Sequence, residues 1–163
     1  MARGGRGEGY VLLQFLLMGV LIWGPVEIAG RGLWPVYPGV RVAGGMIGLI
    51  GGGILLAGAI WLGPALTPFP RPRTRGALVQ SGPYAWVRHP IYTGLLLLAL
   101  GIALWRGSWI SLGTAGLLFV LLDRKSRREE VWLRERYPEY AEYQARVPKL
   151  LPWRFPAPPP SSR

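Results

Sequence analysis

Apolar residues in this chain come in long unbroken runs, not in alternating or helically striped patterns. Residues 10–29 hold one acidic and no basic side chain, and residues 42–63 hold no charge at all. Each run is about the length of a bilayer crossing, roughly 20 residues. The first is too long for the apolar core of a signal peptide, and further apolar runs follow it. Two shorter runs, 91–105 and 109–122, are separated by Arg106-Gly107-Ser108. About 15 helical residues cover roughly 22 Å, short of the roughly 30 Å hydrocarbon core. Pro90 can open the third helix, and the fourth can run on into the basic stretch that follows it. The pattern predicts an all-α integral membrane bundle of about four transmembrane helices. The spans fall at about 10–29, 42–63, 90–105 and 109–125, with a C-terminal cytosolic helix beyond them.

The remaining segments fit one domain over residues 10–156. A polar Gly/Arg lead covers 1–9, and a disordered tail, APPPSSR, covers 157–163. Pro64, Pro68, Pro70, Pro72 and Pro83 prevent a continuous helix between the second and third spans. Residues 123–146 are predicted to be helical, with a break or kink at Pro138. In the second span, Gly44, Gly48 and Gly52 recur every fourth residue, with Gly53 and Ala57 repeating that spacing beside them. A nucleotide-binding glycine loop needs a strand before it, and none is predicted here. The spacing predicts a small-residue face for close helix packing. Glu27, the one acid of the first span, lies near its outer end.

Charge then sets orientation. Of the 19 Lys and Arg, all but Arg31, Arg41 and Arg106 fall on the side that carries both termini. Basic residues mark the cytosolic face, so both termini are predicted inside. That sorting accounts for the net charge of +11 through anionic headgroups, and no nucleic-acid partner is expected. There is no cysteine and only one histidine. Disulfides, thiolate metal sites and polyhistidine metal sites are excluded, and no metal is expected. The arginine-rich, lysine-poor composition points to a G+C-rich prokaryote, so the expected location is a prokaryotic plasma membrane.

Chemistry concentrates in two stretches. SGPYAWVRHPIYTG (81–94) brings Tyr84, Arg88, His89 and Tyr92 to the start of an apolar helix. A helix N-terminus favours anionic ligands, arginine pairs with carboxylates in one plane, and histidine titrates near neutrality. The same residues would also serve as an interfacial anchor. DRKSRREE (123–130) leaves the apolar hairpin on the same side, so Arg124 and Glu129 or Glu130 can face Arg88 and His89. Such a constellation can hold a zwitterion with a carboxylate and an ammonium.

GPYAWVRHPIYTG resembles the G-P-Y-x-x-x-R-H-P-x-Y-x-G signature of the isoprenylcysteine carboxyl methyltransferases and their phospholipid methyltransferase relatives. Arg124, Glu129, Glu130, Leu133, Tyr137, Tyr140, Tyr143, Val147 and Pro148 are similar to that family's second block. Tyr137-Pro138 departs from an aromatic-Gly pair common in the family, so the end of that helix is expected to be placed differently. The resemblance implies S-adenosylmethionine as methyl donor, S-adenosylhomocysteine as product, and an all-helical site at the cytosolic end of the bundle. Carried over by position, it implies Tyr84, Arg88, His89 and Tyr92 on one side of the cofactor, with Arg124, Glu129, Glu130 and Tyr140 on the other. Arg88 and Glu129 are the expected catalytic pair. An arginine would hold the methionine carboxylate, and a glutamate its ammonium or the ribose. Alanine at Arg88 or Glu129 is expected to abolish cofactor binding. The acceptor implied is a membrane amphiphile, either the carboxylate of an isoprenylcysteine-like substrate or a lipid amine. Two other readings stand beside this one: a membrane NADPH-dependent sterol or isoprenoid reductase, which shares an Arg-His-Pro-x-Tyr block, and a non-catalytic membrane scaffold.

Overall fold

The structure is a computed structural model that describes residues 8–24, 36–63 and 78–152. Among these residues it is all-helical. The helices are α1 (Glu8–Trp23), α2 (Pro38–Leu62), α3 (Pro90–Arg106), α4 (Trp109–Arg136) and α5 (Tyr140–Arg146), with a 3-10 turn at Gly82–Ala85. Pro38 and Pro90 open α2 and α3, where a missing N–H costs nothing. The Arg106-Gly107-Ser108 break works as three separate devices. Gly107, at φ 63°, closes α3 in a left-handed cap. Ser108 caps α4 by accepting from the Ser111 N–H at 3.2 Å. Arg106 turns back to the end of α1, where its Nη1 and Nη2 donate to the carbonyls of Leu21 (2.8 Å) and Ile22 (2.7 Å). A cation there satisfies two orphan carbonyls and opposes the negative end of the helix dipole.

The prediction for α4 holds in kind: the helix runs unbroken past the apolar run and is 28 residues long in all. It stops at Arg136, Pro138 lies in the turn, and α5 starts two residues later. The first apolar run is helical only to Trp23; residues 25–35, including Glu27, lie outside the described residues. So do the proline-rich connection at 64–77, the lead at 1–7 and the tail.

The glycine face differs from the expected one. A Cβ on Gly44, Gly51 or Gly58 of α2 would meet atoms of α3 at 2.5–3.2 Å, whereas Gly52 and Gly53 have nothing within 4 Å. On α3, Gly94 and Gly101 mesh with the backbone of α2 at Gly51 and Gly44. The tightest approaches therefore recur every seven residues; of the expected set Gly44 and Gly48 lie on this face and Gly52 does not. A seven-residue step drifts only about 20° around a helix, so it keeps one seam in contact along an antiparallel pair. A four-residue step turns away by about 40° each time.

The main core joins α1, α3 and α4 through Leu21, Leu95, Ala99, Ala115, Leu118, Leu121 and Leu122. The outward faces are apolar too, as at Leu12, Phe15 and Leu16 on α1 and Val42, Leu49, Leu56 and Ile60 on α2. Only 11% of the most apolar stretch of α2 is buried, and among the described helices α2 alone is long and apolar enough to cross a bilayer by itself. An apolar helix with an outward apolar face needs an apolar solvent to cover it.

Candidate functional site

A second, smaller core positions the polar end of the molecule. Tyr140, Tyr143 and Val147 pack with Leu78, Leu133 and Tyr137. The chain after α5 then runs back along the segment that precedes α3. Pro148 and Lys149 carbonyls accept from the backbone N–H groups of Arg88 (2.9 Å) and His89 (3.2 Å), and the Leu150 carbonyl accepts from the Thr93 hydroxyl (2.7 Å). The amides of Arg88 and His89, at the opening of α3, are thus used within the protein. Lys149 also reaches Asp123 on α4 at 2.7 Å.

Arg88, His89, Tyr92, Glu129 and Glu130 converge. Arg88 Nε and Nη2 both lie 2.9 Å from Glu130 Oε1. Its Nη1 donates to the carbonyls of Gln144 and Val147. Of the five guanidinium N–H groups, one on Nη2 is left over. His89 Nε2 lies 3.1 Å from the same Glu130 oxygen, and Gln144 Nε2 donates to the other at 3.1 Å. Glu130 is thereby saturated. Glu129, the next residue, accepts from the Tyr92 hydroxyl at 3.0 Å and sits 3.7 Å from His89 Nδ1. The His89 and Tyr92 rings stack at 5.4 Å with planes 5° apart.

The two glutamates differ electrostatically. Burial pushes the Glu130 carboxyl up, but hydrogen bonds from His89 and Arg88, and their charges, overcome it and hold the group down at about 2. Burial also pushes Glu129 up, and there the opposing influences of His89, the Tyr92 hydroxyl and Lys125 do not win, so it stays above the ordinary carboxyl value. Removal from water likewise raises the phenols of Tyr84, Tyr140 and Tyr143.

The other expected site residues are placed less uniformly. Tyr84 is buried and points to α2, its hydroxyl 3.3 Å from the Gly58 carbonyl, while its own carbonyl accepts from Tyr143 at 2.7 Å. Tyr140 is 1% exposed, and its hydroxyl has no hydrogen-bond partner among the described residues. Arg124 stands apart from the cluster, on the exposed side of α4 with Arg127 and Arg128. The five residues from Arg124 to Glu129 turn the helix by about 140°, so the two cannot share a face.

Three participants went unnoticed in the sequence. Gln144 links Arg88, Glu130 and Arg134, the last through its Oε1 at 2.8 Å. Lys125 is buried and donates to Gln14 of α1 at 2.8 Å. The signal for Gln14 was present: it is the one side-chain amide in an apolar run, and such amides mark helix–helix contacts. A cavity of about 180 Å³ opens beside the cluster between Arg88 and residues 144–149.

Helices with apolar outer faces, tied at one end by a buried Arg-His-Glu-Glu cluster, define a membrane protein with an ionisable site at the bundle's polar end. The comparisons say which. The family model described as phospholipid methyltransferase matches residues 40–140, and the chain belongs to that family. It is 32% identical over 107 residues to the cobalt-zinc-cadmium resistance protein CzcN of Cupriavidus metallidurans, covering 65% of this chain and 48% of that protein. It is 35% identical over 81 residues to the protein-S-isoprenylcysteine O-methyltransferase of Schizosaccharomyces pombe, covering 46% of this chain and 33% of that one. The matches thus span about half or less of these relatives.

Proposed function

We propose that this chain transfers a methyl group from S-adenosylmethionine to an amphiphilic acceptor held in the membrane. The observation that carries the reading is the contrast at Glu129–Glu130, inside the region that matches the family. One carboxylate is saturated by the protein, and its neighbour is left with a single phenol donor at 3.0 Å beside stacked aromatic rings. The chemistry of the donor set fits the cofactor. Glu129 has acceptor capacity for an ammonium or a ribose diol, and the buried Tyr140 hydroxyl has no partner among the described residues.

When bound, S-adenosylmethionine supplies a methyl carbon already activated by its sulfonium. The chain's own residues then bind and orient. Glu129 holds the ammonium or the ribose, His89 hydrogen-bonds the cofactor, and Tyr84, Tyr92 and Tyr140 line the site. Arg88 is a positioning residue in this account, since it is committed to Glu130 and two carbonyls. Arg124 serves the headgroup region. A carboxylate acceptor needs no proton removed; an amine acceptor needs one taken, by Glu129 or His89. Positioning and exclusion of water supply most of the rate.

The bundle crosses the membrane four times, with both termini cytosolic, in a prokaryotic plasma membrane. The acceptor is an isoprenylcysteine-like carboxylate or a lipid amine, and similarity to the Schizosaccharomyces pombe protein-S-isoprenylcysteine O-methyltransferase supports the carboxylate.

The test is transfer of tritiated methyl by the purified chain in nanodiscs holding either acceptor. Alkali-labile label in the lipid-soluble fraction marks an ester, and alkali-stable label marks an amine. Absence of label from both acceptors sinks the reading.

A further inference from the structure

We infer that Lys125 receives the anionic head of the acceptor, reached from the bilayer alongside α1. The inference rests on the proposed reading that the acceptor is a membrane amphiphile, and it names the chemistry of that molecule: a tail attached to a carboxylate or a phosphodiester.

Lys125 is 2% exposed. Its ammonium donates to Gln14 Oε1 at 2.8 Å and lies 5.3 Å from the centre of the Tyr92 ring. Among the described residues no carboxylate comes within 4.0 Å of it. The two acids nearest in sequence make no ion pair with it: Asp123 pairs with Lys149 and Arg127, and Glu129, one turn on, feels the Lys125 charge only from beyond that distance. One amide oxygen and one ring face undercompensate a buried cation, which normally takes an anion as well. An ammonium has three donors, and Gln14 uses one.

Position points to the source of the missing anion. Lys125 lies one turn before Glu129 on α4, about 6 Å further toward the apolar half of that helix. It touches Tyr92, whose hydroxyl meets Glu129, so its ammonium borders the proposed methyl-transfer site. On its other side stands α1. The inward stripe of α1 (Tyr10, Leu17, Met18, Leu21) is apolar apart from Gln14, and its outward face carries exposed Leu12, Phe15 and Leu16. Tyr10, Gln14, Leu17 and Met18 on the inward stripe are only half-buried, so a tail lying along that stripe brings its head to Lys125. A bond that only fastened α1 to α4 would need a donor but no charge.

The test is equilibrium binding to the full chain in nanodiscs, without cofactor. One arm compares an S-prenyl cysteine carboxylate with its uncharged methyl ester. The other compares phosphatidylethanolamine with diacylglycerol. Wild type is expected to prefer the charged member of at least one pair by about tenfold or more, and the arm that responds identifies the source. Lys125→Met is expected to erase the preference and Lys125→Arg to keep it. Equal affinity for charged and neutral members in both arms of wild type overturns the inference, whatever becomes of the variants. So does a preference that survives Lys125→Met. A wild type that transfers no methyl group sinks the earlier reading instead, because these measurements need no turnover.

Discussion

Arg88–Glu130 and Tyr92–Glu129 are neighbouring pairs between the start of α3 and α4, yet they are built in opposite ways. The first is closed. Arg88 binds Glu130 and two carbonyls of the C-terminal segment, and Glu130 also takes His89 and Gln144. The second is open. Glu129 has one phenol, a histidine at 3.7 Å, and 23% of its side-chain surface accessible. A saturated buried ion pair holds segments in place; an undersaturated carboxylate beside it has capacity for a ligand. The chemistry of two neighbouring glutamates is thus decided by what the rest of the fold brings to each.

The largest effect that would break this contrast is expected on the closed side. Arg88→Ala leaves Glu130 buried without its cation, which costs about 3–5 kcal/mol. Thermal unfolding in detergent should show a large fall in midpoint. A variant that melts like wild type and loses only ligand binding would return Arg88 to the cofactor.

Acid comes next. Glu130 is depressed from an ordinary 4.5 to about 2, so its contribution is complete above 4.5 and lost as pH falls toward 2. That contribution is on the order of 3 kcal/mol. Melting midpoints should drop across that window, and Glu130→Gln should flatten the dependence from a lower starting stability. Glu129→Gln is expected to leave melting nearly unchanged but to weaken S-adenosylhomocysteine by about 1.5–3 kcal/mol, tenfold or more. Because Glu129 is raised, wild-type affinity should decline on acidification at a pH above the ordinary carboxyl value, and the variant should lack that decline. Tyr92→Phe, which removes one hydrogen bond to Glu129, is expected to change affinity by only about 1 kcal/mol. A larger effect would mean that the phenol itself contacts ligand.

Much of this was legible in the sequence because the signals were local. Proline at a helix start, Gly-Ser at a hairpin and proline after Arg136 each fix a boundary through the residue's own backbone. The Arg88-His89-Pro90-x-Tyr92 block also gave the candidate cluster three of its members, since residues so close in sequence around a helix start stay together. What escaped depended on helix phase and long-range contact. In DRKSRREE every residue is polar, so no apolar stripe tells which side faces inward. Arg124 was expected in the site, while its neighbour Lys125 is the cation that folding buries. The glycines of α2 failed similarly: several spacings coexist there, and only α3 selects the seven-residue one. Gln144 reaches the cluster through a turn at Pro138 whose direction the sequence does not encode locally.

The central claim is that the open carboxylate serves S-adenosylmethionine chemistry and not a nicotinamide cofactor. Calorimetric titration of the purified chain with S-adenosylhomocysteine and with NADPH tests it most directly. The account predicts saturable binding of S-adenosylhomocysteine that Glu129→Gln weakens at least tenfold, and no binding of NADPH. Saturable NADPH binding, or S-adenosylhomocysteine binding that is indifferent to Glu129→Gln, would contradict it.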